Sequence, residues 1–155
     1  MSTTSSARFA VTALGACDGQ ALIDALTRQG NEVTEAADHH VILIDRVPDE
    51  ALITEWKERF RGQTADITLT IIHLGDADAE RHAARYEAEQ VQTMIAYLAV
   101  ELAYHVRACA ICLRGATPDL WDDTARTVAF VADCTGVTGQ LFRLPDPMPG
   151  SVAVG

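Results

Sequence analysis

Short apolar runs alternate with amphipathic stretches along the whole chain. Arg8 to Leu14 is apolar apart from Arg8 and Thr12 and stops at Gly15, which predicts a buried strand. From Gly19 to Gln29 a helix is expected: Ala21, Leu22, Ala25 and Leu26 share one face, and Gly30 ends it. Val41-Ile42-Leu43-Ile44 predicts a second apolar strand with Asp45 at its carboxyl end. Pro48 then opens a helix in which Leu52, Ile53, Trp56 and Phe60 recur at helical spacing before Gly62. Ile67 to Ile72, rich in β-branched residues, reads as a third strand. A long helix follows from Asp78 to about Tyr104. Its first half is charged, and its second half (Met94, Ile95, Tyr97, Leu98, Val100, Leu102) is apolar almost all round, which calls for burial on more than one side, in a core or against a partner. Val106 to Leu113 is the fourth strand, and Pro118 to Asp133 a helix with Val128, Phe130 and Val131 facing inward. Gln140 to Leu144 is the last strand, before a tail rich in Pro and Gly. Strands alternating with helices imply an α/β three-layer sandwich around a mostly parallel sheet of about five strands.

A length of 155 residues without repeat or linker suggests one domain over residues 8–155, preceded by a flexible tail at 1–7. The net charge of -10 argues against binding nucleic acid or an anionic membrane surface, both of which need a positive field. No cationic start precedes an apolar run and no stretch is apolar enough to span a bilayer. Cys17, Cys109, Cys112 and Cys134 show no disulfide framework, so a reducing cytoplasm is the expected setting.

Three segments resemble the short-chain dehydrogenase/reductase family in matching order, over about two thirds of the chain. They are Val11 to Gly19 with the following helix, Leu98-Ala99-Val100-Glu101-Leu102-Ala103 through Arg107, and Thr124 to Asp146 with its Val137-Thr138-Gly139-Gln140 turn. The resemblance implies a Rossmann-like fold, and the chain departs from the family's pattern at each functional position. The family's Thr-Gly-x-x-x-Gly-x-Gly turn brings backbone close to the dinucleotide pyrophosphate. Aligned without gaps, its glycines fall at Ala13, Cys17 and Gly19, so only the last survives. The catalytic Tyr and Lys fall at Ala84 and Ala88; a shifted register recovers Tyr86, but then Gln90 takes the place of the Lys that lowers the phenol's pKa. His73-Leu74-Gly75 stands where the catalytic Ser is expected, and Ile44-Asp45-Arg46-Val47 replaces the Asn-Asn-Ala-Gly run. Only about 11 residues separate the first helix from Val41, too few for the β-α-β unit that carries the adenosine pocket, so Val33 can at most occupy a stub of strand. Three residues between Gly115 and Asp119 replace the substrate-covering loop.

Several chemistry-bearing residues have ordinary explanations. Cys109-x-x-Cys112 lies in an apolar strand and reads as packing rather than as a redox or metal pair. Adjacent His39 and His40 entering a strand point to opposite faces, so Asp38-His39-His40 reads as a solvated turn rather than a metal site. His73 reads as a satisfied strand-end histidine, with an isolated acid/base as the alternative. Asp45 and Asp76 could serve a ligand at the strand ends or simply start helices and turns, and Asp119, Asp122 and Asp123 complement a helix dipole.

The resemblance therefore implies a truncated, non-catalytic subunit of a hetero-oligomeric short-chain dehydrogenase. It would bind no cofactor or metal itself and would stabilise an intact partner that uses NAD. The family includes hetero-oligomers with one such subunit, and the resemblance extends to the hydroxyacyl-CoA dehydrogenase of anaerobic toluene (benzylsuccinate) degradation. The expected interface comprises Trp56, Phe60, Met94, Tyr97 and Leu98 on two helices, with Val137, Gln140 and Phe142 around the last strand. The first group could equally be ordinary core. Two other readings stand beside it: a small module binding acyl-CoA or a nucleotide near Gly15, Asp45 and Gly75, and a minimal enzyme using His73 or Tyr86.

Overall fold

The structure, a computed structural model, describes residues 7–61, 66–75, 80–103, 106–114 and 118–144. The tail expected after the last strand, Asp76, Gly62 and the ends of the long helix at Asp78 and Tyr104 lie outside the described residues, as does the side chain of Asp119. Strands β1 (Arg8–Ala13), β2 (Glu32–Val33), β3 (His39–Ile44), β4 (Ile67–Gly75), β5 (Val106–Arg114) and β6 (Leu141–Leu144) form one sheet in the order β2-β1-β3-β4-β5-β6. Every pairing is parallel. Helices α1 (Gln20–Arg28), α2 (Glu50–Phe60), α3 (Arg81–Glu101) and α4 (Pro118–Asp133) cover its two faces. The α/β three-layer, Rossmann-like arrangement expected from the alternation is present. Its sheet has six strands rather than about five, because the stub at Val33 pairs with Phe9.

Parallel strands covered on both faces lose the alternation of polar and apolar residues. Accordingly, β4 is buried without a break from Ile67 to His73. On one face Ile42, Ile44, Leu69, Ile71 and Ala110 meet Trp56 and Phe60 of α2 and Val91, Met94, Ile95 and Leu98 of α3. On the other, Phe9, Val41, Leu43, Ile72 and Ile111 meet Leu22, Ala25 and Leu26 of α1 and Trp121, Ala125 and Val128 of α4. With only nine residues, α1 is too short to hold itself in water. Burial of its apolar face against the sheet holds it, and the Arg28–Asp122 ion pair (2.7 Å) ties its end to α4.

One crossover has the unusual hand. The steps β3-α2-β4 and β4-α3-β5 move in one direction across the sheet with their helices on one face, and β1-α1-β2 moves the opposite way with its helix on the opposite face. Those three share a hand. The step β5-α4-β6 moves as β3 to β5 do, yet α4 lies on the α1 face. Since about 98% of such units are right-handed, β5-α4-β6 is the left-handed one. Its consequence is local: on the α3 face no further helix follows α3 over β5 and β6 among the described residues.

The C-terminal stretch is fixed by backbone geometry. Gly139 has φ 71°, the left-handed region that favours glycine. Its N–H donates to the Ala108 carbonyl (2.7 Å), the Thr138 hydroxyl accepts from Ala108 N–H (3.1 Å), and Ala110 N–H donates to the Gln140 carbonyl (2.9 Å). Arg107 donates to the carbonyl oxygens of Val131 (3.0 Å), Ala132 (3.1 Å) and Cys134, capping the C-terminal end of α4.

Three expectations are corrected. β4 continues to Gly75, past Ile72. Phe130 is 52% exposed, because the inward face of α4 is set by Leu120, Trp121, Ala125, Val128 and Ala132. On α3 the core of this chain buries Met94, Ile95 and Leu98, while Tyr97 and Val100 are 44% and 77% exposed. His39 and His40 do not sit in a solvated turn: they open β3, half-buried on its opposite faces, His39 against Phe9 and His40 edge-on to Phe60. No helix among the described residues is long and apolar enough to cross a membrane.

Candidate functional site

In an open parallel sheet the crevice for a ligand lies at the carboxyl ends of the strands, where the strand order reverses. Here that point is between β1 and β3. The turn after β1 passes through Gly15 at φ 65°, and a Cβ there would run into the Asp45 carboxylate at the end of β3. Asp45 Oδ2 accepts from the Ala16 N–H at 3.0 Å. A few residues on, Asp18 Oδ1 accepts from the Gln20 N–H at the start of α1 (3.0 Å). Two of the backbone donors around this turn, the Ala16 and Gln20 N–H groups, are therefore engaged by the chain's own carboxylates. The Ala16 N–H is the main reason the Asp45 carboxyl lies below the usual carboxylate range, with Arg46 adding to it. Beside them Cys17 is pushed up, first by burial and then by the Asp45 charge, which keeps it a thiol.

A second feature lies further along the same edge. In register across three strands, His73, Cys112 and Arg143 form one row on the α3 face, and Arg114 extends β5 beyond it. The first half of α3 passes above. Together they enclose a cavity of about 550 Å³, lined among others by His73, Arg81, Arg85, Glu87, Arg114 and Arg143, within the size range of small-molecule sites. Gly75 belongs to its lining; a Cβ there would press to 3.0 Å on the Leu113 carbonyl, so β4 and β5 approach closely at this point.

His73 is 3% exposed, and its Nε2 has no hydrogen-bond partner among the described residues. The nearest ionic group, Glu87 Oε2, is 3.5 Å away. His73 thus ends its strand buried beside Glu87, without a hydrogen bond to Nε2 among the described residues. Burial lowers the His73 pKa, against the opposing charges of Glu87 and Asp45, and favours the neutral ring. Burial also lifts the Cys112 thiol to about 11, with Arg143 opposing, so Cys112 is not a nucleophile at neutral pH.

The alanines aligned with the family's Tyr and Lys, Ala84 and Ala88, both line this cavity, four residues apart on one face of α3. Tyr86 does not line it and is 63% exposed, so the structure does not bring Tyr86 together with His73. Ala13 and Cys17 flank the closed turn, and Gly19 packs toward Val11. Cys109 and Cys112 join opposite cores, one facing α4 and the other α3, so they form no pair. Among the described residues no three His, Cys, Asp or Glu side chains gather to hold a metal ion.

Of the expected interface residues, Trp56, Phe60, Met94 and Leu98 are buried in this chain's own core. Tyr97 is exposed but engaged, its hydroxyl accepting from Lys57 Nζ at 2.6 Å. Val137 and Phe142 are half-buried and the Gln140 side chain is exposed. What the sequence did not reveal is the arginine cluster. Its only signal is Arg81 and Arg85 one helical turn apart, in a half-helix noted merely as charged.

Neither a scan against models of protein families nor a search of curated proteins finds a match to this chain.

Proposed function

We propose that this chain is the non-catalytic subunit of a hetero-oligomeric short-chain dehydrogenase/reductase, pairing with an intact subunit that oxidises a hydroxyacyl-CoA-type alcohol with NAD. The observation that carries this reading is the hydrogen bond from Ala16 to Asp45: a carboxylate holds the turn that a dinucleotide phosphate needs, and its charge repels one. Two further features support it. Ala84 and Ala88, at the aligned Tyr and Lys positions, face the cavity with no group able to exchange a proton. The outward side of α3 presents Ala96, Tyr97 and Val100, an exposed small and apolar stripe against which a partner's helix can pack. The contact surface on α3 is this stripe rather than Met94 and Leu98, which are already used internally.

Recovery of the tagged chain from its native cells, with its companion identified by mass spectrometry, tests the proposal. It expects an intact short-chain dehydrogenase in fixed stoichiometry, and NAD turnover by the pair but not by this chain alone. A chain recovered without such a companion, or turning over NAD by itself, overturns it.

The second reading, an acyl-CoA or nucleotide module at the strand-end crevice, divides in two. At Gly15 the Asp45 carboxylate lies against the turn and takes the Ala16 N–H. Beside Gly75 there is an open cavity, whose chemistry is different.

A further inference from the structure

We propose that the cavity over the carboxyl ends of β4, β5 and β6 binds a small organic anion, whose carboxylate or phosphate group is held by Arg81, Arg114 and Arg143 while a polar atom of the ligand pairs with His73 Nε2.

Charge distribution is the first observation. The chain has 12 Lys and Arg residues against 22 Asp and Glu. Among the described residues four arginines nevertheless line one cavity, together with two glutamates. Glu89 pairs with Arg85 at 3.4 Å, and Glu87 faces His73 at 3.5 Å. Among the described residues no carboxylate pairs with Arg81 or Arg143. All four cations are arginine, whose planar fork matches the geometry of a carboxylate or a phosphate.

The second observation is independent of charge. His73 Nε2 is buried at the cavity floor with no hydrogen bond among the described residues, the Glu87 carboxylate standing 3.5 Å away. A buried nitrogen without a partner is costly, and a ligand atom that pairs with it removes that cost. The third is architectural. The left-handed step through α4 leaves the α3 side of β5 and β6 uncovered by a further helix, and Arg143 and Arg114 project on that side. At about 550 Å³ the space exceeds a bare ion and accommodates a small organic body beside its anionic head. Nothing in this site depends on the partner reading: a chain with no dehydrogenase companion would have the same cavity.

Titration of the full chain with citrate and, separately, with glycerol 3-phosphate, followed through the His73 imidazole resonances, tests the proposal. Sodium chloride at matched ionic strength is the control. A saturable shift with either probe supports it; citrate alone identifies a carboxylate site and glycerol 3-phosphate alone a phosphate-ester site. The double variant Arg81→Gln/Arg143→Gln, both side chains being exposed and its fold verified by an unchanged amide spectrum, is expected to bind at least roughly tenfold more weakly. Absence of any His73 shift at millimolar probe, an equal shift with sodium chloride, or undiminished binding by the double variant overturns it.

Discussion

Asp45 and Ala16 are joined across the crevice between β1 and β3 by a 3.0 Å hydrogen bond from backbone N–H to carboxylate. That contact makes the turn after β1 part of the scaffold. In an open turn the same N–H would await a ligand's anion. Here the anion is covalently part of the chain, and a phosphate would have to displace it against its charge.

Gly15→Ala and Gly30→Ala separate backbone strain from this contact. Both glycines have positive φ, 65° and 87°, so each substitution pays the left-handed backbone cost of about 1–2 kcal/mol. Only at Gly15 would the new Cβ collide with Asp45; at Gly30 nothing lies within 4 Å. Urea denaturation is expected to show the larger loss for Gly15→Ala, partly recovered when Asp45→Ala is added. Equal losses at the two sites would count against a packed Asp45.

Stability should fall on mild acidification. Burial lowers the pKa of His39, His40 and His73 in the folded chain. The unfolded chain then takes up protons first, so their contribution is complete above about pH 6.5 and declines as pH falls below it. The urea midpoint is expected to drop between about pH 7.5 and about pH 5.5, where ordinary carboxylates remain ionised. Asp45 acts in a lower window: its depressed folded pKa gives stability above about pH 3.9 that is lost as pH falls through the folded value. A midpoint that is flat or rises across the histidine window would show that these rings are not buried neutral.

Leu98 and Val100 divide core from exposed surface on one helix. Leu98 is fully buried and Val100 is 77% exposed. Leu98→Ala should cost the isolated chain about 2–5 kcal/mol. Val100→Arg should change its stability by no more than about 0.5 kcal/mol, yet weaken association with the partner. Unaltered association would move the contact surface off α3.

Arg107 holds the end of α4 through three carbonyl oxygens. Arg107→Gln is expected to lose roughly 1.5–3 kcal/mol, the usual worth of hydrogen bonds to a charged group. Hydrogen exchange should show the loss concentrated in the last turn of α4; a uniform change would argue against a cap.

Periodic apolar positions made most of the fold readable. Leu22, Ala25 and Leu26 share one face of α1, and the run from Ile67 to Ile72 could only be a strand buried on both sides. β4 continues beyond that run because His73, Leu74 and Gly75 pair in register with Cys112, Leu113 and Arg114 of β5. Phe130 turns outward although it is large and apolar, because Leu120, Trp121, Ala125, Val128 and Ala132 set the inward face of α4. Asp45 stood out as a strand-end carboxylate, but its role depends on the Ala16 N–H, 29 residues away in sequence. The arginine cavity was least accessible. Arg81 and Arg143 come together only because α4 crosses on the far face, and residue spacing carries no sign of a crossover's hand.

Titration of NAD into the purified, isolated chain by calorimetry bears most directly on the central claim, that Asp45 closes the dinucleotide turn. No saturable heat is predicted up to millimolar NAD, in the wild-type chain or in one carrying the Arg81→Gln/Arg143→Gln substitutions. Saturable binding with a micromolar dissociation constant would show that the turn accepts a phosphate despite Asp45, and would contradict the account.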